Sequence, residues 1–238
     1  MFLKFFRFLD SQTFLGFKVW EFSFRSLFQP YGLWFLKNIV LRHPLATIKG
    51  LFKYRRLVAK GLLGGAVNVI GSSSEDKFFR EPGNLTIAPG YCQKPFNCPA
   101  GRFSPDCLLP LPCHEPCSIK SLIVSGLKLG ARIYVMTSAL RIGQDLLLPA
   151  LEKRGPRRIL AFVCPYSLHP FALACLICGL EGVILTFAKG ACADYEAWLL
   201  ADKGIKPEQT TIGPEGERIL TNCGLSGRQI EPGSHASK

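Results

Sequence analysis

The chain has 238 residues, ten of them cysteine, with nearly half its residues apolar and a net charge of +12. That apolar content excludes an intrinsically disordered polymer, and the length allows one ordinary core with an appended segment. No cysteine precedes Cys92 and five crowd into residues 92–117, which is not the short, evenly studded pattern of a secreted disulfide scaffold.

Residues 1–70 are aromatic and basic. Eleven of the eighteen Phe lie within residues 1–60, and this stretch supplies most of the net positive charge. Charges at Lys4, Arg7, Lys18, Glu21, Arg25, Lys37 and Arg42 interrupt every apolar run. None therefore reaches the ~18 residues of a spanning helix. The run Met1–Asp10 leads to no small-residue cleavage site, so it reads poorly as a signal peptide, and a reducing cytoplasm is expected. After His43-Pro44 a helical period sets in. Lys49, Lys53, Arg56 and Lys60 share one face, and Leu51, Tyr54, Val58 and Leu62 the other. A basic amphipathic helix behind a Phe/Trp-rich stretch points to an anionic membrane surface as the partner of residues 1–65, so a peripheral position on the inner membrane face is expected. The charge comes without a helix-turn-helix, aromatic platform or Gly-rich loop, which argues against nucleic acid.

Residues 71–90, with Gly71-Ser-Ser-Ser, Glu81-Pro-Gly and Ala88-Pro-Gly, have linker composition. Residues 91–117 are crowded with proline, which removes backbone donors and blocks helical continuation. Such a segment needs an outside device to fix its shape, and metal ligation is the usual one. Residues 118–202 alternate helix and strand. Helices are predicted over 119–129, 138–153 and 168–179, and strands over 131–137, 158–164 and 183–188. This order implies an α/β fold with a small parallel sheet of three or more strands and flanking helices. Ligands in such folds collect at the carboxyl ends of the strands, where Cys164 and Cys192 fall. Beyond about residue 203 the chain is polar and Gly-containing, and residues 203–238 read as a tail.

The candidate metal ligands are Cys92, Cys98, Cys107, Cys113 and Cys117, with Cys164 and Cys192 at the strand ends. Cys113-x3-Cys117 meets the tight spacing of a zinc knuckle, and the wider gaps suit an iron–sulfur cluster, so both cofactors stay open. Cys175-Leu-Ile-Cys178 has the formal spacing of a redox motif, but its apolar surroundings mark two core residues. Phosphate-loop, H-E-x-x-H and G-x-S-x-G motifs are absent from the sequence.

From residue 91 to about 195 the order of features resembles the prokaryotic family called domain of unknown function 116. The likeness rests on Tyr91-Cys92-Gln93, Cys98-Pro99-Ala100, Cys107, Cys113-x3-Cys117 and the strand ending in Cys164, then Gly190-x-Cys192. The family's pattern has C-x2-C where this chain has His114-Glu115-Pro116 between two cysteines. The resemblance implies a cysteine-rich metal segment, of iron–sulfur type, on a small α/β domain. The resulting expectation is a cytoplasmic iron–sulfur protein in redox or electron transfer, docked at a membrane face and serving a redox protein partner. The competing expectations are a zinc-stabilised interaction module and a thiol enzyme using Cys164 or Cys192.

Overall fold

The computed structural model describes residues 17–71, 84–107 and 117–225. Helix α1 (Phe17–Leu27) is followed by α2 (Pro30–Phe35), which runs into a π-helical turn at Leu36–Val40, and by α3 (Pro44–Ala59). Pro30 and Pro44 stand in the first helical turn, where a missing N–H costs no hydrogen bond. The chain then forms β1 (Val67–Ile70), β2 (Leu85–Ala88), α4 (Ser118–Lys128) and β3 (Arg132–Ile133). A helical stretch follows as α5 (Ala139–Ile142), a second π turn (Gly143–Leu147) and α6 (Leu148–Leu151). The remainder is β4 (Arg158–Val163), α7 (Leu168–Ile177), β5 (Glu181–Lys189), α8 (Tyr195–Asp202), β6 (Thr211–Ile212) and α9 (Pro214–Asn222).

The sheet runs β1-β5-β4-β2-β3, with β6 on β5 beside this path. The pairs β5–β4, β4–β2 and β2–β3 are parallel, while β1 and β6 lie antiparallel to β5. The expected α/β class is thus present, with a mostly parallel sheet of six strands among the described residues. Strand alternation divides the core into two halves. Ile159, Ala161 and Val163 of β4 face one apolar layer, with α3 and α7. Leu160 and Phe162 face the other, with Leu122 of α4 and Leu220 of α9, and Cys164 shares their face.

Three differences from the sequence reading bear on the site. Leu85–Ala88, placed in the linker, is instead a buried strand between β4 and β3. Four residues bounded by turn formers are too short to display a period, and only tertiary pairing marks them as a strand. The strand expected over 131–137 is reduced to Arg132–Ile133 plus an isolated bridge at Met136, as befits an edge position. Residues 203–225, placed in the tail, carry β6 and α9, and Leu220 and Leu225 are buried.

The basic region shares the core of the α/β part. Val19, Ile39 and Tyr54 belong to the same apolar cluster as α7. Gly50 allows α3 to lie against α7, because a Cβ there would sit 2.5 Å from Ile177 Cα. Phe22 packs edge-on against Trp198 of α8, at 4.7 Å between ring centroids. Tyr31 joins Ser26 and Tyr195 through hydroxyl contacts of 2.8 and 3.0 Å. The face of α3 read as apolar divides: Tyr54 is buried and Val58 packs on the core, whereas Leu62 is half exposed. A further apolar stripe remains at the surface. Leu45, Ile48 and Phe52 are exposed at helical spacing beside exposed Lys49, Lys53 and Arg56, and Leu41 precedes them. No helix among the described residues is long and apolar enough to cross a membrane.

Candidate functional site

Strand β4 ends at Val163, and Cys164 turns the chain into a single 3-10 turn (Pro165–Ser167) before α7. Strand β2 ends at Ala88, and Pro89-Gly90 deliver Cys92 on another 3-10 turn (Tyr91–Gln93) at the same edge. Beyond β5, the bend at Gly190 brings Cys192 in before Asp194 caps α8 by accepting from the Ala197 N–H at 2.9 Å. The carboxyl ends of three adjacent parallel strands therefore each present one thiol, and all three are buried. This is where an open α/β sheet gathers its chemistry.

The thiols are connected. The Cys192 backbone N–H donates to Cys164 Sγ at 3.2 Å. Lys206 Nζ donates to Cys192 Sγ at 3.0 Å, and Thr210 Oγ1 donates to Cys92 Sγ at 3.2 Å. Lys206 and Thr210 are themselves buried, and Thr210 N–H also bonds the Cys92 carbonyl at 3.0 Å.

These contacts give the three sulfurs different acidities. The hydrogen bond from Cys164 and the Lys206 ammonium together hold the Cys192 thiol down at about 6, against the opposing pull of burial and Asp194. Cys164 is pushed well above the ordinary thiol range, first by donating to Cys192 and then by burial. Cys92 is also raised, chiefly by burial, with Thr210 and Lys206 acting the other way. The contacts therefore favour the thiolate at Cys192 and the thiol at Cys164 and Cys92.

Above the thiols lies a cavity of about 420 Å³. Its walls are overwhelmingly apolar, including Val19, Phe22, Trp34, Phe171, Phe187 and Trp198, and Cys92, Cys164, Cys192 and Lys206 all line it. Both π turns border it. Gly143, in the second, accommodates the Trp34 ring, since a Cβ there would lie 2.6 Å from Cζ3. Single π turns inside α-helices recur at functional sites.

Of the seven expected ligands, Cys92, Cys164 and Cys192 meet here. Cys98, Cys107 and Cys117 are half-buried and lie outside the cavity lining, and Cys113 falls outside the described residues. Cys175 and Cys178 are buried on α7, as core residues should be. Soft thiolates suit iron–sulfur clusters and zinc as a donor type. Yet each sulfur of the group already has a hydrogen-bond partner. Among the described residues no group of three or more His, Cys, Asp or Glu is placed to hold a metal ion.

The described half of the proline-rich segment is held by cations of the chain itself. Lys94 is 1% exposed, and its Nζ donates to the carbonyls of Gly101, Ser104 and Asp106 at 3.3, 2.7 and 2.6 Å. Arg102 donates to the carbonyls of Lys206 and Glu208 and lies 3.9 Å from the Phe96 ring centroid. This clasp ties residues 94–107 to the segment that carries Lys206.

The chain matches no family model, no curated protein and no solved structure. The likeness to domain of unknown function 116 thus rests on its motif residues alone. Two residues of the site, Lys206 and Thr210, had no signal in the sequence. They lie in a polar, Gly-containing stretch and reach the thiols only because β6 brings the chain back to β5.

Proposed function

We propose that the protein works at a membrane surface through a nucleophilic thiolate, Cys192, on the floor of the apolar cavity. The observation that carries this reading is the contact of Lys206 Nζ with Cys192 Sγ, beside the Cys164 thiol. Thiolate is the reactive form of cysteine, and a neighbouring cation with a hydrogen-bond donor keeps a buried thiol ionised near neutral pH. Cys164 retains its proton and serves as the acid of the pair. Brief treatment with limiting iodoacetamide at pH 7, followed by peptide mass mapping, is expected to label Cys192 roughly tenfold or more ahead of Cys175 and Cys178. Cys192→Ser should remove that fast phase. Uniform slow labelling of all cysteines would sink the reading.

The convergence of three thiols from three chain segments favours a second reading, an iron–sulfur redox protein serving a partner at the same membrane face. In that case the protein purified without oxygen carries stoichiometric iron and sulfide, and Cys192 alkylates only after a chelator has stripped them. Zinc alone would return the cysteines to a structural role in an interaction module.

The membrane assignment rests on the exposed stripe of α3. Burying one large apolar side chain is worth about 1.5–3 kcal/mol, and each nearby cation adds about 1 kcal/mol on anionic lipid. Because α1–α3 belong to the core, point substitutions are the suitable test. Ile48→Ser with Phe52→Ser is expected to weaken co-sedimentation with phosphatidylserine vesicles by at least about tenfold. Lys49→Glu with Lys53→Glu should abolish the preference for anionic over neutral vesicles. Sedimentation unchanged in both pairs would remove the membrane from the proposal.

A further inference from the structure

We infer that the cavity receives a long-chain acyl group, and that Cys192 takes this group from an acyl thioester. The inference rests on the nucleophilic-thiol reading and names its substrate class. Three observations carry it. The cavity volume of about 420 Å³ lies within the range of small-molecule sites, and its lining is overwhelmingly apolar, with three thiols and a lysine among the exceptions. The nucleophile, its cation and a second thiol stand together in that apolar lining, so a ligand with a single reactive head and an apolar body matches the chemistry. The walls are also contributed in part by Leu51 of α3, the helix whose outer side carries the exposed apolar stripe. An acyl chain leaving a bilayer surface would pass from one apolar surface to another.

The step balances without an oxidant. Cys192 Sγ attacks the thioester carbonyl carbon, forming a new C–S bond and a tetrahedral oxyanion. Lys206 Nζ, already beside the sulfur, stabilises the developing negative charge. Collapse breaks the donor's C–S bond, and the departing thiolate takes the proton from Cys164 or Lys206. The product is an S-acyl Cys192 and a free donor thiol.

The test uses the full chain with acetyl-, octanoyl- and hexadecanoyl-coenzyme A, read by intact and peptide mass spectrometry. One hydroxylamine-labile acyl adduct is expected on Cys192 and is absent from Cys192→Ser. Its second-order rate should climb about fourfold for each methylene that enters the cavity, until the chain fills it. Ala174 lines the cavity, and Ala174→Phe should shift the preferred donor to a shorter chain. Chain-length dependence in the unsubstituted protein decides the matter if that variant fails to fold. If Cys192 alkylates readily with iodoacetamide but accepts no acyl group, or accepts acetyl as fast as hexadecanoyl, the acyl inference falls and the thiol reading stands. If neither reagent modifies Cys192 selectively, both fall.

Discussion

Replacing Lys206 with methionine is expected to move the midpoint of Cys192 alkylation from near pH 6 to about pH 8 or above, toward the range of an unperturbed cysteine. The sign follows from the reacting species. Raising the pH converts thiol to thiolate, so the rate climbs through the midpoint and levels off above it. With Lys206 in place the plateau is reached before neutrality; without it, most of Cys192 is protonated at pH 7. The loss of rate at pH 7 is smaller than the shift suggests. A more basic thiolate is intrinsically more nucleophilic, with a Brønsted slope of about 0.4–0.5, so the net fall is under about twofold for a midpoint near pH 8. The order reverses just above neutrality, and by pH 9 the variant should react roughly six- to tenfold faster than the unsubstituted protein. Crossing profiles are thus the signature of a thiolate stabilised by this ammonium. Parallel profiles with a common midpoint would mean that Lys206 does not set the charge of Cys192.

Lys94→Met is expected to lower the stability of the protein by about 3 kcal/mol, a fall in melting temperature of roughly 6–12 °C. Methionine keeps most of the buried stem and removes only the ammonium head. The carbonyls of Gly101, Ser104 and Asp106 then lose a charged donor. Hydrogen bonds to charged groups contribute about 1.5–3 kcal/mol each, and the exposed rim of the loop can recover part of the loss from water. Limited trypsin digestion offers a second reading of the same event. Arg102 is protected while its guanidinium is anchored on the carbonyls of Lys206 and Glu208, and cleavage after it should accelerate in the variant. A variant with unchanged melting and digestion would show that the clasp does not hold this segment.

Much of the fold was legible because its helices and its long strands have clear periods. Strands β4 and β5, helix α7 and the basic helix α3 follow from apolar runs and from the spacing of Lys49, Lys53 and Arg56. Placing Cys164 and Cys192 at strand ends was enough to anticipate that they would lie near each other. Cys92 joins them because β2, hidden in a linker-like stretch, inserts beside β4. The rest was not legible for definite physical reasons. Leu85–Ala88 is too short for periodicity and takes its character from two neighbours distant in sequence. Lys94 and Lys206 carry no signal of their own, since nothing in a local window distinguishes a solvated lysine from one capped by carbonyls or by a thiolate. The exposed stripe Leu45, Ile48 and Phe52 was lost between two other stripes of the same helix. Sequence spacing shows that three faces exist, but only packing decides which of them is covered.

The antiparallel pairing of β1 with β5 sets an order of events during synthesis. Val67–Ile70 pairs with Gly182–Leu185, so the edge of the sheet nearest the basic helices closes only after more than a hundred further residues have been made. Parallel partners β4 and β2 are likewise far apart in sequence, and such non-local pairing is slow to form. Through that interval α1–α3 have neither α7 nor α8 to cover them, and their aromatic and cationic faces are displayed together. A nascent chain in this condition either aggregates or finds an interface. An anionic bilayer would offer one, and would then act as a folding partner of the nascent chain.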